Sequence, residues 1–298
     1  MNTILITGAG GNIGTEIIRG LKELGKKSGI VAAARNPGKA REELQGFPGL
    51  TYRKLDFTNP ATFDDALRDI DIVFLLRPPN LADVSAYFEP FLEAMLKKKI
   101  RKIVFLSVQG AEHQKRIPHH KIEKLILAKG FEYVFLRPSY FMQNLTTTLI
   151  REIKEENRIF IPGGRLRFTW VDARDIGNVG AHILEEFESN KNQPCVITGT
   201  EVKDFYEVAA LLSEKTERTI KYESPNLFRF YRHKRKQGMN RTMIFVMIML
   251  HYLPRFSRKT NEITDTVKKL TGRTPGTLSA FIEREKQLFN VHHPVFKN

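Results

Sequence analysis

Short apolar runs alternate with helical periodicity along the first two-thirds of this 298-residue chain. Runs at residues 4–7, 30–34, 50–55, 72–76, 102–107 and 133–137 are separated by helix patterns at 15–24, 61–68, 86–97 and 120–129. The runs are continuously apolar, as expected of strands covered by helices on both faces. The pattern therefore predicts an α/β fold of Rossmann type, a doubly wound parallel sheet with ligand at the carboxyl ends of its strands. After residue 159 the pattern loosens. Strands at 168–171 and 195–198 alternate with helices at 175–188 and 204–215, followed by an apolar helix at 242–252 and a last helix at 278–289. The expected division is a sheet domain over residues 1–158 and a smaller, mostly helical substrate lobe over 159–298, partly interleaved with it.

The turn after the first run sharpens this reading. Residues Asn2 to Gly14 read NTILITGAGGNIG, a strand, a glycine turn and a helix start. Unpaired amides at a helix N-terminus, with the positive end of its dipole, form a site for a pyrophosphate. Gly8 turns the chain, Gly11 lets backbone approach the phosphates, and Gly14 brings the helix close to the strand, with Asn12 and Ile13 in the same first turn. Further contacts are expected where the later strands end. Arg35 follows the second strand, where an acid would bind the ribose hydroxyls of NAD and an arginine suits a 2′-phosphate. NADP(H) is thus expected over NAD(H). Asp56 closes the third strand and either hydrogen-bonds the adenine or caps the following helix, while Phe57 covers the ring. Leu76 and Arg77 stand where two prolines force the fourth strand out of the sheet. Ser107 and Gln109 end the fifth strand, near the nicotinamide; a turn serine with a satisfied hydroxyl is the alternative for Ser107.

Composition narrows the classes. The 41% hydrophobic content supports a full core, and the single cysteine, Cys195, excludes an intrachain disulfide and argues for neither metal nor thiol chemistry, so no metal is expected. Without a leader pattern or a long apolar run, a cytoplasmic protein is expected. The formal charge is +15, and between Arg218 and Lys259 the only acid is Glu223. The segment FRFYRHKRKQG (Phe228 to Gly238) mixes cations with aromatics and adjoins the apolar helix. A solvated basic face and a lid helix packed on the core are the preferred explanations, over contact with nucleic acid or an anionic membrane.

Beyond the glycine turn, the residues ARNP at 34–37, LDF at 55–57, HHKIEKLI at 119–126, LRPSYFMQN at 136–144, WVDARDI at 170–176 and the tail TDTVKKLTGRTPGTLSAFI at 264–282 are specific. In them the chain resembles the NmrA-like family of atypical short-chain dehydrogenases. The resemblance implies an NAD(P)H-binding protein: either a reductase acting on quinones and similar flat electrophiles, or a non-catalytic NADP(H) sensor that binds a protein partner. It also implies that His119, at the start of the helix and four residues before Glu123, faces the nicotinamide, with Lys121 beside it. No tyrosine has a lysine four residues later, so the tyrosine–lysine proton donor of ordinary short-chain dehydrogenases is missing. His119 could donate a proton from a pKa near neutrality and could pair with Glu123. Tyr140 is the other candidate donor. Tyr140, Phe141, Asn144, Trp170 and Gln109 are expected to contact the substrate, the aromatics by stacking on a flat ring. Asp172 or Asp175 is expected to cap the following helix.

Overall fold

The computed structural model describes residues 2–256 and 262–290. Arg258 and Lys259, at the end of the basic run, lie outside them. The first part builds β1 (Thr3–Thr7), α1 (Asn12–Glu23), β2 (Gly29–Ala34), α2 (Pro37–Glu43), β3 (Leu50–Lys54), α3 (Phe63–Ala66), β4 (Ile72–Leu76), α4 (Val84–Lys97), β5 (Lys102–Leu106), α5 (Pro118–Ala128) and β6 (Glu132–Pro138). With the strand Gln193–Ile197 they form a seven-stranded sheet in the order 193–197, β6, β5, β4, β1, β2, β3, every pair parallel. The chain order reverses between β1 and β4, the switch point at which doubly wound sheets bind ligands. The central strands are sealed: Ile4, Leu5, Ile6, Val73, Phe74 and Leu75 are each fully buried. That is why these segments carry apolar runs rather than alternation.

The described residues divide into two compact units, and the chain passes between them several times. One unit takes residues within Met1–Ser139, Ala173–Thr198 and Thr264–Pro275; the other takes those within Tyr140–Asp172, Gly199–Ile263 and Gly276–Asn298. The helix Ala173–Glu185 belongs to the first unit because it packs on α1. Gly177 permits that approach, since a Cβ there would stand 2.5 Å from the Glu16 carbonyl. The strand Gln193–Ile197 then completes the edge of the large sheet.

The second unit has a separate core of Met142, Leu145, Ile159, Phe160, Trp170, Phe205, Phe230 and Phe281. Short strands frame it: Tyr140–Phe141 and Glu201–Lys203 flank Phe168–Val171, and Arg158–Phe160 pairs with Lys221–Glu223. The basic segment forms a helix, Leu227–Lys236, whose inward cation Lys234 is buried against Glu152 of the helix Ile150–Glu156.

Candidate functional site

In the first unit the glycine turn has the geometry of an anion cradle. Gly8 adopts φ +63°, a left-handed conformation suited to glycine. Gly11 precedes α1 in an extended conformation without a side-chain cap, and the first turn holds no acid. The amides of that turn, at Asn12, Ile13 and Gly14, have no intrahelical acceptor. Gly8, Gly11 and Asn12 are exposed, whereas Ile13 is buried and offers only backbone. A Cβ on Gly14 would lie 2.3 Å from the Gly8 carbonyl oxygen and 2.8 Å from the Ala9 Cα, so only glycine fits the helix this close to the turn. At the next strand ends Arg35 is exposed, and Asn36, not Arg35, caps α2 by accepting from the Lys39 amide at 3.1 Å.

Asp56 accepts from the Thr58 hydroxyl (2.7 Å) and amide (2.9 Å). Those bonds hold its pKa below the ordinary aspartate value, with smaller help from the Arg35 and Lys54 charges. The helical turn that follows is capped by Asn59, which accepts from the Ala61 amide. Asp56 thus stays ionised within reach of the exposed Arg35 charge. Phe57 corrects an expectation: its side chain is buried against Phe88 and Phe91 at ring distances of 5.0 and 5.1 Å, so it is core and not an adenine cover. Phe57 lies in the turn after β3, and that turn points its ring into the core.

At the last residue of β4, the Leu76 amide donates to the Thr7 hydroxyl at 2.8 Å. The Arg77 guanidinium donates to the carbonyls of Pro78, Pro79 and Leu81 and so holds the two-proline loop, while its Nε is buried without a partner. His119 stacks loosely toward Phe105. Burial, reinforced by the Arg77 charge, pushes its pKa down to about 3. The imidazole is therefore neutral, which removes the premise of a donor poised near pH 7.

Nor does His119 pair with Glu123. That carboxylate is buried and taken by Ser107, whose hydroxyl donates at 2.5 Å, and by Arg137, which donates from Nε at 3.0 Å and Nη2 at 2.7 Å. Arg137 also meets Glu112 at 3.0 Å. The Ser107 hydroxyl is thus committed to the core, correcting its assignment to the cofactor. Lys121 is exposed and lies two residues from His119, on the opposite side of α5. Gln109 is half-buried, its amide bonded to the Pro138 carbonyl at 3.0 Å.

In the second unit the aromatic candidates turn inward. Trp170 is fully buried and its indole donates to the Lys203 carbonyl at 3.0 Å, so it is a core residue and no substrate contact. Tyr140 packs on Phe168 and Trp170 at 4.4 and 4.7 Å. Its hydroxyl is 2.8 Å from His251 Nε2. His251 Nδ1 is 2.7 Å from the Met247 carbonyl, an acceptor only. Nδ1 therefore carries the proton, Nε2 accepts, and the Tyr140 hydroxyl donates to it. Burial raises the Tyr140 pKa well above the ordinary tyrosine value and pushes His251 down to about 4. Tyr140 as a catalytic acid is corrected on these grounds: its proton is committed and its phenolate is disfavoured. Phe141 and Asn144 stay half-buried. Asp172, in the position expected to cap, takes the Gln143 amide and Arg284, both at 2.7 Å.

The model of the NmrA-like family matches residues 1–246. The chain belongs to that family. It is 28% identical to an NAD(P)H azoreductase of Xenophilus azovorans over 294 residues, covering 96% of this chain and 99% of the relative. A quinone oxidoreductase of Escherichia coli, solved in complex with NADPH, superposes with a TM-score of 0.82 over 95% of this chain and 99% of its own, at 20% identity. NmrA itself, a negative transcriptional regulator solved with NADP, gives a TM-score of 0.72 over 96% of both chains at 15% identity. The two structures share the fold, and the NmrA-like frame accommodates both kinds of protein. Among the described residues there is no cluster able to hold a metal ion.

Proposed function

We propose that this protein is an NADPH-dependent oxidoreductase that passes a hydride to a quinone or a similar flat electrophile. The observation that carries the reading is the uncapped first turn of α1 beneath Gly8 and Gly11, with the exposed Arg35 at the end of the adjacent strand. The groups present fit a dinucleotide phosphate: first-turn amides for the pyrophosphate, a free guanidinium for a 2′-phosphate, and the buried, unpartnered Nε of Arg77. Bound nicotinamide would supply the hydride. The azoreductase relative and the quinone-reductase fold support this class of chemistry.

The acceptor class follows from what the proton-bearing groups lack. A simple ketone needs a strong positioned acid as charge develops on its oxygen. With His119 neutral and the Tyr140 proton held by His251, neither offers one. A quinone spreads developing charge over a conjugated ring and asks only for orientation and a modest donor, which the N–H of neutral His119 supplies. Gln109 keeps a half-exposed side chain in the first unit and remains a candidate for acceptor contact.

NADPH oxidation by the purified protein against a panel of quinones and azo dyes tests this. Turnover with at least one flat acceptor and none with simple ketones is expected. Absence of turnover with every acceptor, despite tight NADPH binding, would overturn it. That outcome would favour the second reading, an NADP(H) sensor that recruits a protein partner, which the same lack of a poised acid supports.

A further inference from the structure

The helix Arg241–His251 is apolar on both sides. Ile244, Met247 and His251 face the core of the second unit, while Phe245, Val246, Met249 and Leu250 stand exposed. A helix apolar all round is normally buried all round. The preceding helix Leu227–Lys236 contacts it and adds exposed Phe228. Twelve large apolar side chains are exposed among the described residues, and eight lie between Phe228 and Phe256. Exposures of 75% at Phe228, 64% at Phe245 and 75% at Phe256 show rings projecting into solvent, not gaps in packing. A concentration of this kind marks a surface that something covers.

The charge around it says what. Between residues 224 and 261 the sequence has nine lysines and arginines and no acid. Lys234 is used internally by Glu152, and Arg229 pairs with Glu223. Arg232, Arg235, Lys236 and Arg241 are exposed and meet no carboxylate among the described residues. A second copy of this chain is a poor occupant, because a two-fold interface would set these cations against themselves. We infer that the helices Leu227–Lys236 and Arg241–His251 form a surface that docks on an anionic lipid bilayer, with Phe228, Phe245 and Leu250 entering the headgroup boundary and the cations meeting lipid phosphates. Amphipathic helices with bulky apolar and basic residues partition in this way, by buried area plus attraction to anionic lipid. No described helix is long and apolar enough to cross the membrane, so the contact is peripheral.

Flotation with phosphatidylcholine vesicles, with and without phosphatidylglycerol, tests the inference independently of any reductase activity. The protein is expected to float with the anionic vesicles, to stay behind with pure phosphatidylcholine, and to be released by high salt. Phe245→Ser with Leu250→Ser alters only exposed side chains and is expected to abolish flotation with an unchanged melting temperature; Phe228→Ser checks the neighbouring helix. Arg232→Ala with Lys236→Ala is expected to weaken binding on the order of 30-fold. No flotation with anionic vesicles at low salt would overturn the inference, as would flotation that survives the Phe245 and Leu250 changes. A wild-type dimer in sedimentation that these changes convert to monomer would assign the surface to a second copy instead.

Discussion

The glycine turn of the first unit and the aromatic cluster of the second were both candidates for binding, yet the structure treats them oppositely. At the turn, Gly8 and Gly11 are exposed and no side chain caps the helix. In the cluster every polar end finds an internal partner: Trp170 the Lys203 carbonyl, Tyr140 the ring of His251, His251 the Met247 carbonyl. The turn's own amides at Ala9 and Gly11 are bonded within the fold, to the Ala33 and Gly8 carbonyls, so the donors left over are those of the first helical turn. Buried aromatics with polar tips must be satisfied from within, and a satisfied hydroxyl has no proton to spare.

The largest expected effect lies on the first unit's own buried network. Glu123→Ala leaves Arg137 nearly enclosed with Glu112 alone, and should cost about 3–5 kcal/mol in urea unfolding. A loss below about 1 kcal/mol would show that the network is not structural and would return Ser107 to the list of binding groups.

Gly14→Val forces a side chain against the Gly8 carbonyl. It should cost about 1–3 kcal/mol and remove NADPH binding even where the protein is folded. Native affinity in the folded variant would mean the first turn is not the phosphate site. Tyr140→Phe sharpens the contrast from the other side. It strips the donor from His251 Nε2 and should cost about 1–3 kcal/mol, while turnover per folded molecule stays within about twofold of native. A drop of several orders of magnitude, with stability kept, would reinstate Tyr140 as the acid.

A smaller effect is the pH dependence that His251 confers. Its pKa falls from the unfolded value of 6.5 to about 4 in the folded protein, so below 6.5 the unfolded chain binds more protons. Its stabilising contribution is complete above pH 6.5 and is lost as the pH falls toward 4, with a slope of at most about 1.4 kcal/mol per unit. His251→Gln should lower the slope of the stability curve in that window, leaving the share that His119 contributes; an unchanged slope would place the titration elsewhere.

The sheet was legible because burial on both faces writes itself as apolar runs; β4 falls where periodicity puts it, and β1, β2, β3 and β5 differ by a residue at one end. The short strands at 158–160, 201–203 and 221–223 have too few residues for a period, so they escaped notice. The glycine turn was legible for a similar reason, since glycine at close spacing has few other uses. Phe57, Ser107, Tyr140 and Trp170 were not, because an aromatic or hydroxyl at the end of a strand reads the same whether it faces ligand or core. A cue for the Glu123 network was present: Arg137 sits in an apolar buried strand, where a guanidinium requires an acid.

Calorimetric titration of NADPH and NADH into wild type and Arg35→Ala decides whether the turn and Arg35 form an NADPH site. Tighter NADPH binding is expected in wild type, with a loss of roughly tenfold or more in the variant for NADPH and little change for NADH. Equal affinity for the two dinucleotides, unaltered by the substitution, would contradict it.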